Sequence, residues 1–212
     1  DMNDLSDPAI DVYDNAMFII ALDYLLEMAP DSPQASRWKS LREGIERNVR
    51  AHLWDVKRQK FIPHIYPEKS PIPEGFDELA IHYHGGTAIA IEAGLLSKDE
   101  IRTVNAQMLE NVRLSGMPSI GLTLYPVYPD GFFHGGMSKA YLYQNGGDWT
   151  WFGGRMIQQL VVNGMVEEAY AEIHPMIERV IQNDGFYEWY GKGGVPSGSG
   201  NFKGSAGVLS KA

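Results

Sequence analysis

The sequence predicts an all-α fold, an αα-hairpin toroid with three hairpins present and a fourth begun. Three observations lead there. Helical segments that are apolar nearly all round alternate with segments apolar on one stripe only. A helix with no polar face is buried on every side, whereas an amphipathic one lies at a surface. Each one-sided segment is followed by an aromatic stretch with a tight turn: LWDVKRQKFIPHI, LYPVYPDGFFHGG and NDGFYEWYGKGG. The unit recurs at about 70 residues, and recurrence of this kind decides the architecture. A ring of inner helices enclosed by a ring of outer ones satisfies both patterns.

The first inner helix is expected from Val12 to Met28, carrying Val12, Ala16, Met17, Phe18, Ile19, Ile20, Leu22, Leu25 and Leu26. Pro30 closes it, and Asp31-Ser32-Pro33 supplies a stop and a fresh N-cap. The first outer helix, Pro33 to Leu53, sets Trp38, Leu41, Ile45, Val49 and Leu53 on one stripe, with Lys39, Arg42, Glu43, Glu46, Arg47 and Arg50 opposite. Glu78 to Ala93 is again apolar on most sides. Lys98 to Leu114 is amphipathic through Ile101, Val104, Met108 and Val112. Trp149 to Val162 has buried character. Met165 to Ile181 is amphipathic through Val166, Ala169, Ile173, Met176, Ile177 and Val180, and a seventh helix begins near Ser205.

With 212 residues, 44% hydrophobic and 21% charged, residues 1–212 are expected to form a single globular domain. The formal charge of -9 argues against a nucleic-acid partner, because phosphates demand a basic face. The longest apolar run, Ala16 to Leu22, ends at Asp23 and falls far short of the ~20 residues of a membrane span. A soluble protein, cytoplasmic or periplasmic, is expected. The absence of cysteine rules out disulfides, thiolate catalysis and Cys-based zinc sites. The start at Asp1 rather than Met suggests a processed or truncated end.

Chemistry concentrates in the last third. YQNGGDWTWFGG and GFYEWYGKGG stand at opposite ends of one hairpin and carry one carboxylate each, Asp148 and Glu188. A carboxylate flanked by indole and phenol rings is what a sugar-cleaving site needs: an acid or base beside flat apolar faces. Glu188 lies between Tyr187 and Trp189. Asp148 precedes a buried helix, so N-capping is its first expected role. Tyr83 and His84, with His82 before them, fall on an expected inner helix, and His134 sits in GFFHGG. Histidines two apart do not share a helix face, so no metal pair is expected. They read as hydrogen-bonding or buried side chains, and Asp11 and Asp14 read as helix caps. GKGGVPSGSG lacks the ending of a phosphate loop and reads as a lid over a sugar pocket. No cofactor is expected.

In order and spacing, the segments resemble the six-hairpin (α/α)6-barrel glycosidases, which include neutral/alkaline invertases and glycogen-debranching-type glucosidases. YQNGGDWTWFGGRMIQQLVVNG is similar to the segment that opens a late inner helix there. FYEWYGKGG with FKGSAGVL resembles a carboxylate loop and the helix behind it, and DVYDNAMFIIAL a mid-barrel inner helix. The resemblance covers the whole chain as the C-terminal half of such a barrel. It implies a glycosidase that inverts, with Glu188 as general base. It also implies a subsite loop formed by Tyr143, Gln144, Asn145, Gly146, Gly147 and Trp149, flanked by Trp151 and Trp189. Thr150, Asp148 and Gly204-Ser205-Ala206 depart from the pattern, and the general acid falls in an earlier hairpin. Two alternatives stay open: a sugar 2-epimerase working through His82, His84 or His134, and a module that binds carbohydrate without turnover. Tyr143, Trp149, Glu188 and Trp189 are expected in one pocket. The open flank of a half-ring is expected to be covered by a second copy or by an N-terminal half.

Overall fold

The computed structural model describes residues 8–212. Among them are seven α-helices: α1 (Val12–Met28), α2 (Ala35–His52), α3 (His84–Glu92), α4 (Lys98–Ser115), α5 (Thr150–Val162), α6 (Val166–Asn183) and α7 (Lys203–Leu209). α1 packs on α3, α3 on α5 and α5 on α7, so the odd-numbered helices form an inner row. α2 packs on α1, α4 on α3 and α6 on α5, forming the outer row. The chain is thus a partial α/α toroid, as its alternating helices predict.

The inner row is tight because α3 is made of small residues. HGGTAIAIE buries eight of its nine residues. A Cβ on Gly86 would come within 2.7 Å of Val12, and one on Gly85 within 3.1 Å of the Phe152 ring. Both neighbours of α3 therefore close directly onto its backbone. One core runs through Ile19, Ile89, Ile157 and Leu160 of the inner helices to Val49, Val104 and Met176 of the outer ones. Each such side chain contributes about 1.5–3 kcal/mol by leaving water. The caps are local. Asp11 accepts from the Asp14 N–H at 2.8 Å, Ser97 and Glu100 form a capping box, and Gly116 ends α4 at φ 70°.

Three sequence expectations need correction. The second inner helix starts at His84, not Glu78. Residues Glu78–Ala80 form a 3-10 turn, and His82–Tyr83 is extended. The backbone there is engaged elsewhere: the Lys60 ammonium takes the carbonyls of Leu79 and Ile81, both at 2.6 Å, and His82–Tyr83 pairs with Leu124–Tyr125. Secondly, α1 is not enclosed. Phe18, Tyr24, Leu25 and Met28 are exposed, because the helices that pack along it are chiefly α2 and α3, while α5 reaches only its first turn at Tyr13. Thirdly, the buried line of α6 is Ala169, Glu172, Met176 and Arg179, while Ile177 and Ile181 face outward. Two charged residues have turned the helix toward polar partners inside.

Short strands tie together the segments that lead into the inner helices. They are β1 (Trp54–Asp55), β2 (Lys60–Phe61), β3 (His82–Tyr83), β4 (Leu124–Tyr125), β5 (Trp189–Tyr190) and β6 (Pro196–Ser197), paired β1 with β2, β3 with β4 and β5 with β6. Single bridges join Ile10 to Ile65, Leu122 to Asp148, and Asp148 to Tyr190. The aromatic loops form one connected belt as a result. Among the described residues, no helix is long and apolar enough to cross a membrane.

Glu172 gives the outer row a pH signature. Its Oε1 accepts from Asn105 Nδ2 at 2.8 Å, while its Oε2 and the Asn105 Oδ1 have no partner among the described residues. One proton on Glu172 converts this to a two-bond acid–amide pair. Burial pushes the carboxyl up to about 7; the Asn105 bond opposes this and Glu168 adds to it. An acid that keeps its proton longer when folded loses stability as pH rises from its unfolded to its folded pKa. Stability from this group is therefore full below about pH 4.5 and lost by about pH 7. Thermal melts across that window should show the decline in the wild type. In Glu172→Gln, which keeps both bonds without titrating, they should show it flattened.

Candidate functional site

A tight turn builds the centre of the belt. Tyr143 adopts φ 48° and Gly146 φ 85°. The Tyr143 carbonyl accepts from the Gly147 N–H at 2.9 Å and from the Trp149 indole N–H at 3.1 Å. A Cβ on residue 147 would stand 2.1 Å from that carbonyl oxygen, so only glycine fits. The turn folds the Tyr143 ring edge-on to Trp149 at 4.8 Å, and β5 brings Trp189 to 6.2 Å from Tyr143.

Glu188 enters this cluster from the loop before α7. Its N–H donates to the Ser199 carbonyl at 3.0 Å, and its Oε2 accepts from the Ser199 N–H at 3.4 Å. The Tyr143 phenol is pushed above its ordinary pKa by burial, by the charge of Glu188 and by its hydrogen bond to that carboxylate. Tyr143 thus joins Trp149, Trp189 and Glu188 in one cluster, but Trp149 is buried beneath Tyr143, Phe152 and Phe202 and does not face a ligand, contrary to its expected place in a subsite loop. The aromatic surface extends across the inner helices: Phe202 packs on Trp149, Trp149 on Phe152, and Tyr13 on both Phe152 and Trp151. Trp151 carries the Arg155 guanidinium over its ring at 4.6 Å, and Arg155 is paired with Glu92 at 2.6 Å.

The other sequence candidates divide. Asp148 is fully buried and does not cap α5, whose N-cap is Trp149. Its Oδ1 lies 2.8 Å from Arg179 Nη1 and its Oδ2 accepts from the Ser119 hydroxyl at 2.7 Å. Burial holds its carboxyl above the ordinary carboxylate value, although Arg179 and Ser119 act to lower it. With both oxygens engaged inside the protein, Asp148 holds structure and has no access to a substrate. Asn145 is equally enclosed, and its amide brackets the Tyr128 backbone, accepting from N–H at 2.9 Å and donating to C=O at 3.1 Å.

His84 is buried against the Asn111 amide at 2.9 Å, and burial lowers its pKa to about 3. His82 is lowered to about 4, again by burial and then by the charge of Lys60. His134 is exposed ahead of the 3-10 turn Gly135–Met137. The three histidines do not gather around Glu188. Tyr83 and Gln144 line a separate cavity of about 180 Å³ with His64 and Tyr128.

Arg179, His64 and Glu78 are the residues that sequence reasoning passes over. For Arg179 a signal exists: it stands three and ten residues beyond Met176 and Ala169, on the same helical line, where a charge demands a partner. His64 and Glu78 meet across fourteen residues of irregular chain, and no periodicity announces that contact.

The fold defines a helical toroid of the kind used by glycoside hydrolases, seen here as an arc. Among solved structures, the mannosylglycerate hydrolase of Thermus thermophilus, assigned to GH63, is similar in its glucose complex. The TM-score is 0.71 at 17% identity, over 97% of this chain and 46% of that one. Its complex with Tris and D-glycerate gives a TM-score of 0.67 at 17% identity, over 96% and 45%. A sialidase is similar at 12% identity and a TM-score of 0.64, over 89% of this chain and 17% of its own. This chain therefore spans less than half the length of those hydrolases. No family profile and no curated protein sequence matches the chain.

The Asp148–Arg179 pair yields a stability prediction. Removing one partner of a buried pair strands the other charge and costs about 3–5 kcal/mol, whereas replacing both with packed apolar groups is often neutral. Urea unfolding of Arg179→Met and Asp148→Leu should show losses of that order. The double variant should recover much of the loss.

Proposed function

We propose that the chain is a glycosidase-type protein of carbohydrate metabolism in which Glu188 is the general base of an inverting hydrolysis. The observation that carries this reading is the joint placement of Glu188, Tyr143, Trp149 and Trp189 on a partial toroid. Its likeness to glycoside hydrolases in fold supports a glycosidic substrate. The half-buried Trp189 offers an apolar face to sugar C–H groups, the buried Trp149 backs the Tyr143 ring, and the Tyr143 hydroxyl aims the Glu188 carboxylate. Glu188 takes a proton from water, the oxygen attacks the anomeric carbon opposite the glycosidic bond, and that bond breaks as an acid protonates the departing oxygen. Inverting pairs stand about 6.5–9.5 Å apart. Asp148 is enclosed by its ion pair, so we assign the acid to a segment outside this chain.

The epimerase alternative needs histidines able to exchange protons with substrate. His84 is sealed in the core, and both His82 and His84 stay neutral at any ordinary pH, which disfavours it. Chromogenic glycosides test the hydrolase. Glu188→Gln should lower kcat by about 10²–10⁴-fold with sugar binding kept. Tyr143→Phe should lower kcat by less. Sugar binding with no turnover in any assembly would leave the non-catalytic module as the reading.

The exposed stripe Phe18, Ala21, Leu25 and Met28 on α1 has the 3-4 spacing of a helix-packing seam. We assign its cover to a complementary half that completes the ring, since four inner helices are already present and two copies would bring eight to a six-hairpin plan. Such an interface buries more than about 2,000 Å². Light scattering at micromolar concentration should find a stable complex only with that half. A tight dimer of this chain alone would favour self-association instead.

A further inference from the structure

Beside the aromatic cluster lies a side-chain constellation with the geometry of an active hydrogen-bonding site. Glu78 is buried, and its Oε1 receives three groups: His64 Nδ1 at 2.8 Å, the Tyr66 hydroxyl at 2.8 Å and the Tyr128 hydroxyl at 2.5 Å. Burial pushes the Glu78 carboxyl up, but the bonds from His64, Tyr128 and Tyr66 outweigh it and leave it below its ordinary value. The carboxylate is therefore ionised and can only accept. In the neutral imidazole that fixes the tautomer: Nδ1 carries the proton, and Nε2 is an acceptor on the opposite edge of the ring. A carboxylate that sets the tautomer of a histidine in this way makes its second nitrogen the functional one.

His64 lines the cavity of about 180 Å³ that Tyr83, Phe133 and Gln144 also line. At about 30 Å³ per water, the space holds on the order of six waters, enough for a hydroxylated ring fragment. Tyr83, whose ring lies 6.5 Å from that of His64, and Phe133 supply apolar walls. Gln144 adds an amide next to Tyr143, and so connects the cavity to the Glu188 cluster through adjacent residues.

The charges around the cavity select its ligand. Asp11 acts electrostatically on His64, and Asp11 and Asp14 on Tyr83. Glu78 lies behind the imidazole. The nearby cation, Lys60, is turned to the carbonyls of Leu79 and Ile81. Of the described residues that line the cavity none is a lysine, an arginine or a carboxylate, and the charges acting on its His64 and Tyr83 walls include those of Asp11 and Asp14, so an anionic ligand finds no counter-charge and a neutral polyol needs none.

We propose that this cavity is a second carbohydrate subsite, in which His64, oriented by Glu78, accepts a hydrogen bond through Nε2 from a hydroxyl of a neutral sugar. The subsite rests on the carbohydrate reading of the Glu188 cluster, and it adds a specificity that the cluster alone does not have: preference for an uncharged ring over a sugar acid.

Glucose and D-glycerate, titrated separately into the intact chain, test the proposal by ¹⁵N histidine side-chain NMR together with calorimetry. Glucose should move the His64 Nε2 resonance, and D-glycerate should not. His64→Asn keeps a donor toward Glu78 but lacks the second nitrogen. It should weaken glucose binding by about tenfold, the worth of one hydrogen bond near ~1.4 kcal/mol. Glu78→Gln should weaken it through the lost tautomer and allow Nδ1-protonated and Nε2-protonated His64 signals to coexist. Glucose binding unchanged in His64→Asn, with the wild-type His64 resonance unmoved, overturns the subsite and leaves the Glu188 reading standing. D-glycerate binding at His64 in preference to glucose also overturns it. A wild-type chain that binds no neutral sugar overturns the carbohydrate reading itself.

Discussion

The buried contact between Asp148 and Arg179 is the constraint on which the arrangement of the belt depends. The backbone of Asp148 bridges to Leu122 on one side and Tyr190 on the other. Its side chain reaches Arg179 of the outer helix α6, whose second guanidinium nitrogen donates to Thr150 at 2.7 Å at the start of α5. The guanidinium also lies over the Tyr190 ring at 4.0 Å. A single ion pair thus joins an outer helix, an inner helix and two loops. Because the pair is desolvated, it fixes geometry more than it adds net stability. Trp149 follows Asp148 in the chain and Trp189 precedes Tyr190, so the position of the pair sets theirs.

Glycines make that junction possible. A Cβ on Gly121 would meet Asp148 Oδ1 at 2.2 Å and the Trp149 carbonyl at 2.6 Å, so the backbone of the preceding loop lies directly against the ion pair. Together with the turn at Gly147, this close approach leaves Tyr143 one place to sit, against Trp149 and within reach of Glu188. Rigid backbone support of this kind holds a side-chain cluster in one geometry. The same economy shows in α3, where small residues let both neighbouring helices close in.

The protein uses its carboxylates in three different ways according to their surroundings. Asp148 is locked to a guanidinium, Glu78 organises two tyrosines and a histidine, and Glu172 shares an amide between two outer helices. Glu188 differs from all three in being half-buried in a cluster of rings, with the Ser199 N–H donating to it and the Tyr143 phenol within its electrostatic reach. Burial and partner chemistry separate the three enclosed carboxylates from the half-buried Glu188, although all four belong to two residue types.

Periodicity alone determined the alternation of inner and outer helices, because the width of an apolar stripe reports directly on how many neighbours a helix has. It placed α2, α4, α5 and α6 to within two residues, and composition pointed to the loops whose Tyr143, Trp149 and Trp189 rings meet in one cluster, though not to the burial of Trp149 within it. It overestimated the burial of α1, since an all-apolar helix looks the same whether its last neighbour is present or not. It also misjudged the start of α3, where Lys60 and β4 capture carbonyls and strand edges that local propensity would give to a helix. The roles of Asp148, Asn145 and His84 were decided only by the tertiary structure. A carboxylate in an aromatic loop reads alike whether it faces a cleft or an arginine on a distant helix. His64 and Glu78 became a pair only when the turns between α2 and α3 folded onto β4 and Tyr128, because hydrogen bonds between irregular segments leave no period in a sequence.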